Sequence, residues 1–145
     1  MKIATVIAAR PQDVWSHLSD LPSHVEWMAD AESIRFTTPQ RRGVGVRFEC
    51  DTRVGPFRLT DHMDVTEWEE GHVIGVRHRG MVTGTGRFSV ERLDRGARAR
   101  VTWHEELAFP WRLVTPVLTA IWRRNLARFK ARVEAGASSS SPGPA

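Results

Sequence analysis

Two hydrophobic periods divide the chain. From about residue 31 to residue 107 apolar side chains recur at alternate positions, the period of a half-buried strand; from Thr115 to Glu134 they recur every three to four residues, the period of a helix. Val44, Val46, Phe48, Cys50, Thr52 and Val54 share one strand face, and Gly45, Arg47, Glu49, Asp51 and Arg53 share the other. The next run puts Phe57, Leu59, Asp61, Met63 and Val65 inward, and the one after it Ile74, Val76 and His78. Two more follow, with Val82, Gly84, Gly86, Phe88 and Val90, then Ala99, Val101, Trp103, Glu105 and Leu107. Gly55-Pro56, Glu69-Glu70-Gly71, Arg79-Gly80 and Asp94-Arg95-Gly96 separate the runs and read as hairpin turns. With a strand from Ser33 to Thr38 in front, the pattern predicts an antiparallel meander with one face in water.

Upstream, residues 2–8 alternate loosely and suit a first strand. Pro11, at a tolerated first-turn position, and Asp13, favourable to the dipole, open a helix whose apolar face is Val14, Trp15 and Leu18. Asp20-Leu21-Pro22 breaks it, and Ser23-His24-Val25-Glu26 has the S-x-x-E form of a capping box for a second short helix reaching about Met28. Downstream, Phe109-Pro110-Trp111 leads into a long helix that Thr115 caps and Pro116 opens. Val117, Leu118, Ile121, Trp122, Leu126, Phe129 and Val133 fall on one half of it. Twenty helical residues span roughly 30 Å, the width of a small domain, so this helix should be the lid of the sheet. Asn125 interrupts its apolar face and poses the question whether helix and sheet enclose a dry core or a ligand chamber. Residues 136–145, GASSSSPGPA, have nothing to bury and read as a disordered tail on a single domain of residues 1–135.

Composition narrows the class. A chain of 145 residues buries roughly 68–70% of its unfolded surface without staples. Cys50 is the single cysteine, which excludes an internal disulfide, and the opening MKIATVIAARP is too short in apolar residues for a signal peptide. With no run long enough to span a membrane, a soluble cytoplasmic protein is expected, as monomer or homodimer. The net charge of +4 comes from arginine, since Lys2 and Lys130 are the only lysines. Without zinc-finger spacing, an RNP-like motif or a lysine-rich tail, no nucleic-acid partner is expected. Arg123, Arg124, Arg128, Lys130 and Arg132 give the long helix a basic outer side, read as a solvated face, the alternative being contact with an anionic carrier protein or membrane surface. The histidines lack metal-ligand spacing, and the G-x-G of Thr83–Gly86 lies inside a strand pattern, so neither a metal nor a cofactor is expected.

Three ionisable side chains break the alternation on the inward face: Asp61, His78 and Glu105. Burying a charge without a partner is costly, so such groups are paired, neutralised or open to cavity water. Counted from the turns, Asp61 and His78 lie on adjacent strands within about one rung. Glu105 lies two strands beyond His78, roughly 10–12 Å away at about 4.8 Å per strand. Gly84 and Gly86 on the strand between present no side chains, leaving room for a small ligand between an acid and a base. The three groups are therefore candidate acid–base catalysts or ligand-orienting groups. The competing reading is a bulge that turns one of these strands over and puts its ionisable group in solvent. Asn125 faces the same choice between bonding a ligand and bonding the sheet or a buried water. Trp27, Phe48, Met63, Phe88, Trp103 and Trp122 are candidates for an apolar wall, against the simpler reading of ordinary core.

The order of one strand, two short helices, a six-stranded meander and a long C-terminal helix resembles the α+β helix-grip fold. The resemblance is to the START/Bet v 1-like (SRPBCC) superfamily, polyketide cyclase/dehydrase group. It is carried by Ala8-Ala9-Arg10-Pro11-Gln12-Asp13-Val14-Trp15, by Asp20 and Trp27-Met28, and by Gly43-Val44-Gly45-Val46-Arg47-Phe48. Val65-Thr66-Glu67-Trp68, Arg128-Phe129-Lys130 and Glu134 complete it, over residues 1–135. The resemblance implies a curved sheet of about seven strands gripping the helix, with a cavity for a hydrophobic small molecule. The activity it implies is either a cofactor-independent cyclase/dehydratase (a lyase) or a non-catalytic carrier or sensor of lipid, quinone or polyketide-like ligands. The chain has no Tyr, a departure from the phenolic acid–base groups of the family's cyclases.

Overall fold

The computed structural model describes residues 1–108 and 115–139. The elements are β1 (Lys2–Ile7), α1 (Pro11–Leu18), a 3₁₀ helix (Leu21–Glu26), β2 (Ala31–Phe36), β3 (Arg47–Val54) and β4 (Phe57–Glu69). They continue with β5 (Val73–Arg79), β6 (Thr83–Leu93), a 3₁₀ turn (Asp94–Gly96), β7 (Arg98–Ala108) and α2 (Thr115–Ser139). The strands form one seven-stranded sheet in the order β1-β7-β6-β5-β4-β3-β2. Every pairing is antiparallel. β2 to β7 are thus a meander, and β1 returns to close the edge beyond β7. This is the helix-grip arrangement: a twisted sheet whose inward face meets α2.

The inward face is not covered evenly. One cluster joins Ile3, Ile7, Val14, Leu18, Trp27, Val101, Trp103, Leu126, Phe129 and Val133, packing α1 and the C-terminal half of α2 onto β1, β7 and β6. Trp27 is its centre: its ring lies 4.9 Å from Phe129 and 6.2 Å from both Phe88 and Trp103, centroid to centroid. A second cluster, Leu21, Val46, Phe48 and Val65, occupies the β3–β4 side. On α2 the buried stripe runs through Asn125, Leu126, Phe129 and Val133, with Trp122 and Leu118 half-buried above it. Val117, one residue off that stripe and so about 100° around the helix, is exposed rather than buried.

Local differences from the sequence pattern have identifiable causes. β3 begins at Arg47, not Val44, because Gly43 and Gly45 hold φ of 93° and 95° and keep that stretch a loop, which leaves Val44 exposed. The short helix starts at Leu21, with Pro22 in its first turn. Ser23 is therefore inside it and donates to the Asp20 carbonyl (2.7 Å) instead of capping. α2 continues to Ser139, past Gly136; Ala137 packs against the larger cluster, and Gly136 is helical close to His17. The rest of the expected tail, residues 140–145, and the Phe109-Pro110-Trp111 lead-in lie outside the described residues.

Asn125 is fully buried and fastens helix to loop. Its Oδ1 accepts from the Ala29 N–H (3.0 Å) and its Nδ2 donates to Asp30 Oδ1 (2.7 Å). Asn125→Leu removes both bonds and leaves partners behind, a cost of about 1–3 kcal/mol. The thermal midpoint followed by circular dichroism is expected to fall by about 2–4 °C for each kcal/mol lost in a chain of this size. An unchanged midpoint would mean that the tie contributes nothing.

Candidate functional site

Between the two clusters lies a cavity of about 420 Å³, inside the range of roughly 300–1,000 Å³ in which small-molecule pockets fall. Phe48, Met63, Phe88, Trp103 and Trp122 line it, together with Asp61, His78 and Glu105. Trp27 and Asn125 do not: the indole is enclosed by other rings, and the amide is held by Ala29 and Asp30. Leu21, His24, Met28 and Asp30 line the cavity too, from the segment after α1. Alternation cannot point to these residues, because the 3₁₀ turn and loop that carry them have no strand period. The sequence signals there are the S-x-x-E motif, whose His24 turns inward, and the Trp27-Met28 pair of the family resemblance.

The pleat brings the ionisable groups together. Met63 is the register partner of His78, so Asp61 lies one rung away on the same face, and Gly84 and Gly86 pair with His78 and Glu105 across β6. The sheet has register shifts between Ala31 and Ser33 and between Val65 and Glu67. Neither falls between these three residues, so the bulge that would have turned one of them outward is not there. His78 Nδ1 is 2.6 Å from Asp61 Oδ2, and His78 Nε2 is 3.3 Å from Glu105 Oε2. The second contact is an ion-pair distance without hydrogen-bond alignment, and it leaves Glu105 Oε2, His78 Nε2 and Asp61 Oδ1 buried without a hydrogen-bond partner. Trp103 Nε1 donates to Glu105 Oε1 at 2.8 Å.

The gap anticipated between His78 and Glu105 is therefore closed by the side chains themselves. Gly86 makes this possible. A Cβ at that position would stand 2.6 Å from Glu105 Oε1 and 2.9 Å from Oε2, so the carboxylate lies across the bare backbone of β6. Glycine here serves the contact between two side chains and does not make room for a ligand between them. Among the described residues no group of three or more His, Cys, Asp or Glu is arranged to hold a metal ion.

A family model described as Polyketide cyclase / dehydrase and lipid transport matches residues 2–134. The chain belongs to this family. Membership implies binding of a hydrophobic ligand, and the apolar cavity is where the fold has space for one. Among solved structures, a protein from Deinococcus radiodurans superposes with a TM-score of 0.73 at 17% identity, over 93% of this chain and 96% of its own. A START superfamily protein from Mycobacterium smegmatis gives 0.70 at 14% identity, over 97% and 98%. The di-domain ARO/CYC StfQ from the steffimycin biosynthetic pathway gives 0.74 at 13% identity, over 92% of this chain and 44% of that one. At these identities the likeness is one of fold. An uncharacterized protein of Mycobacterium tuberculosis is 28% identical over 80 residues, 55% of this chain and 56% of its own length. No helix among the described residues is long and apolar enough to cross a membrane.

The family's cavity here holds two imidazoles in opposite states. Burial alone would lower the pKa of His78, but the Asp61 hydrogen bond and the nearby charges of Asp61 and Glu105 outweigh it and raise the pKa to about 9. Burial dominates at His24 and lowers its pKa to about 4, although the Leu18 carbonyl lies 2.7 Å from Nε2 and Asp20 is nearby. His24 is thus a neutral ring donating Nε2–H to Leu18. Cys50, the register partner of Asp61, has its thiol pushed up to about 11, mainly by burial, and is no nucleophile at neutral pH.

These assignments are measurable by NMR of the imidazole carbons. His78 is expected to titrate near pH 9 and His24 near pH 4. Because the folded-state pKa of His78 lies above its unfolded value, its stabilising contribution is complete below about pH 6.5 and is lost as pH rises through about 9. The midpoint difference between the wild type and His78→Gln should accordingly shrink across that window. Gly86→Ala, which crowds Glu105 away from the ring, should lower the His78 pKa. Titration of His78 at about 6.5 in the wild type would contradict the ion pairing.

Proposed function

We propose that this chain takes a hydrophobic small molecule into the cavity and acts on it as a cofactor-independent cyclase or dehydratase. In this reading His78 is the proton donor, Glu105 the proton acceptor, and Asp61 the group that holds the imidazole in place. One observation carries the reading: a carboxylate–imidazole–carboxylate trio built into the wall of an otherwise apolar chamber. Taking such groups out of water costs several kcal/mol per ion, and apolar side chains of the same volume would pack at less cost. A fold that needed only to be stable has no use for them. The shared fold of StfQ, an ARO/CYC from the steffimycin biosynthetic pathway, is consistent with this chemistry.

The step can be written with the protons balanced. Glu105 takes a proton from a carbon next to a ligand carbonyl. His78, as imidazolium, gives its Nε2 proton to the departing hydroxyl, which leaves as water while the new double bond forms. Glu105 is then a carboxylic acid and His78 a neutral imidazole. Transfer of one proton across their contact, 3.3 Å in the resting site, restores both. A ligand oxygen reaches Nε2 only by opening that contact, which its poor alignment makes easy.

The covered Nε2 favours a second reading, a carrier that holds its ligand unchanged, since the proton donor of the trio is buried against Glu105 at rest. The absence of Tyr points the same way. Native mass spectrometry of the purified protein, followed by turnover assays on the retained molecule and its hydroxylated precursors, separates the two. The enzyme reading expects conversion that His78→Gln and Glu105→Gln each reduce by about 10²–10⁴-fold while ligand affinity changes little. Stoichiometric recovery of unchanged ligand from the wild type would establish the carrier instead.

A further inference from the structure

The polar wall of the cavity is rich in acceptors and poor in donors. Its described lining contains three carboxyl groups, Asp30, Asp61 and Glu105, and no Arg or Lys. Among the described lining residues the donors are engaged except His78 Nε2–H, which has no hydrogen-bond partner and faces Glu105 Oε2 at 3.3 Å. The Trp103 indole N–H is given to Glu105, the His24 ring N–H to the Leu18 carbonyl, and the Thr52 hydroxyl to Cys50 Sγ at 3.8 Å. His78 is flanked by a carboxylate on each nitrogen, so its charge is more than balanced within the wall. On the acceptor side, Asp61 Oδ1 and Glu105 Oε2 have no hydrogen-bond partner, in side chains about nine-tenths buried. A buried acceptor of this kind is costly until a donor reaches it, whereas a second anion placed beside it is repelled in a medium that screens poorly.

We infer that the cavity selects uncharged or cationic molecules that donate a hydrogen bond, such as phenols, alcohols and amines, and rejects carboxylates and phosphates. The inference rests on the cavity being the ligand site and adds the charge and hydrogen-bonding class of what enters it. A free fatty acid, whose head is an anion needing donors, is a poor fit despite the apolar walls. A neutral hydroxylated ring system fits both parts, its apolar body against Phe88 and Trp122 and its hydroxyl toward the unpartnered oxygens. Such a ligand, unlike an acid, is also a competent substrate for loss of water.

A matched set of probes tests this on the intact chain by titration calorimetry at pH 7: naphthalene, 1-naphthalenemethanol, 1-naphthylmethylamine and 1-naphthoate. The alcohol and the amine should bind at least about tenfold more tightly than the carboxylate, the least that a like-charge contact in such a site implies. In the Asp61→Asn/Glu105→Gln double variant, with folding verified by circular dichroism, the carboxylate's disadvantage should shrink to about threefold or less, about 0.7 kcal/mol. The wild-type comparison decides the matter if the variant does not fold. Carboxylate binding equal to or tighter than that of the alcohol would overturn the charge rule while leaving the cavity as the ligand site. Failure of all four probes, the parent hydrocarbon included, would count against the cavity as a binding site and take the charge rule with it.

Discussion

The register of four adjacent strands is the constraint on which the site depends. β4, β5, β6 and β7 are paired so that Asp61, His78 and Glu105 all point to the inward face, with Gly86 as the register partner of Glu105. A slip of one residue in any of these pairings would send a charged side chain to the outer face, because the side-chain period of a strand is two. The outer face is where the chain places its other charges, among them the Arg47–Asp64, Arg79–Asp64 and Arg87–Glu67 pairs. The same alternation that keeps those pairs wet holds the trio dry. The bulge between Val65 and Glu67 falls beyond the trio and lets Trp68 turn back toward the core without disturbing it.

Packing elsewhere explains why the space beside the trio stays open. Trp27, Phe129 and Val133 fill the ground between α2 and the β1–β7 edge completely. The N-terminal part of α2 has only partly buried contacts through Leu118 and Trp122. The helix is thus seated firmly at one end, and at the other it lines the cavity through Leu118 and Trp122. Asn125 lies at the change between the two regimes. By binding Ala29 and Asp30 it fixes the height of the helix above the sheet where apolar packing gives out. Its polarity, which the sequence leaves between a ligand and a structural partner, is met by these two bonds.

Much of the sheet could be read from the sequence because its strands have one wet and one buried face, which makes the period plain. Asp61, His78 and Glu105 stood out for the same reason: each breaks a pattern that is otherwise kept. What could not be read was distance in the third dimension. Strand spacing gives the separation of backbones and says nothing of how far an imidazole and a glutamate reach, so an open gap was inferred where the side chains meet over Gly86. The residues after α1 escaped for a different reason. His24 and Asp30 sit in a turn and a loop whose direction is set by what they pack against, and no local period records that.

His24 and His78 give the cavity a direction. Both are histidines in the same lining, yet one is neutral and the other carries charge: burial prevails at His24, whose ring has a backbone carbonyl, while two carboxylates outweigh it at His78. A backbone carbonyl compensates a donor hydrogen but supplies too little charge to overcome burial. Two carboxylates overcome it. The side of the chamber near the 3₁₀ helix therefore presents a neutral ring, with Asp30 tied to Asn125, and the β4–β7 side presents the ionised trio. A molecule with one apolar and one hydroxylated end has a single favourable orientation in such a field. Under the proposed acid–base function, that orientation would hold the reacting carbon beside His78 and Glu105 before any chemistry begins.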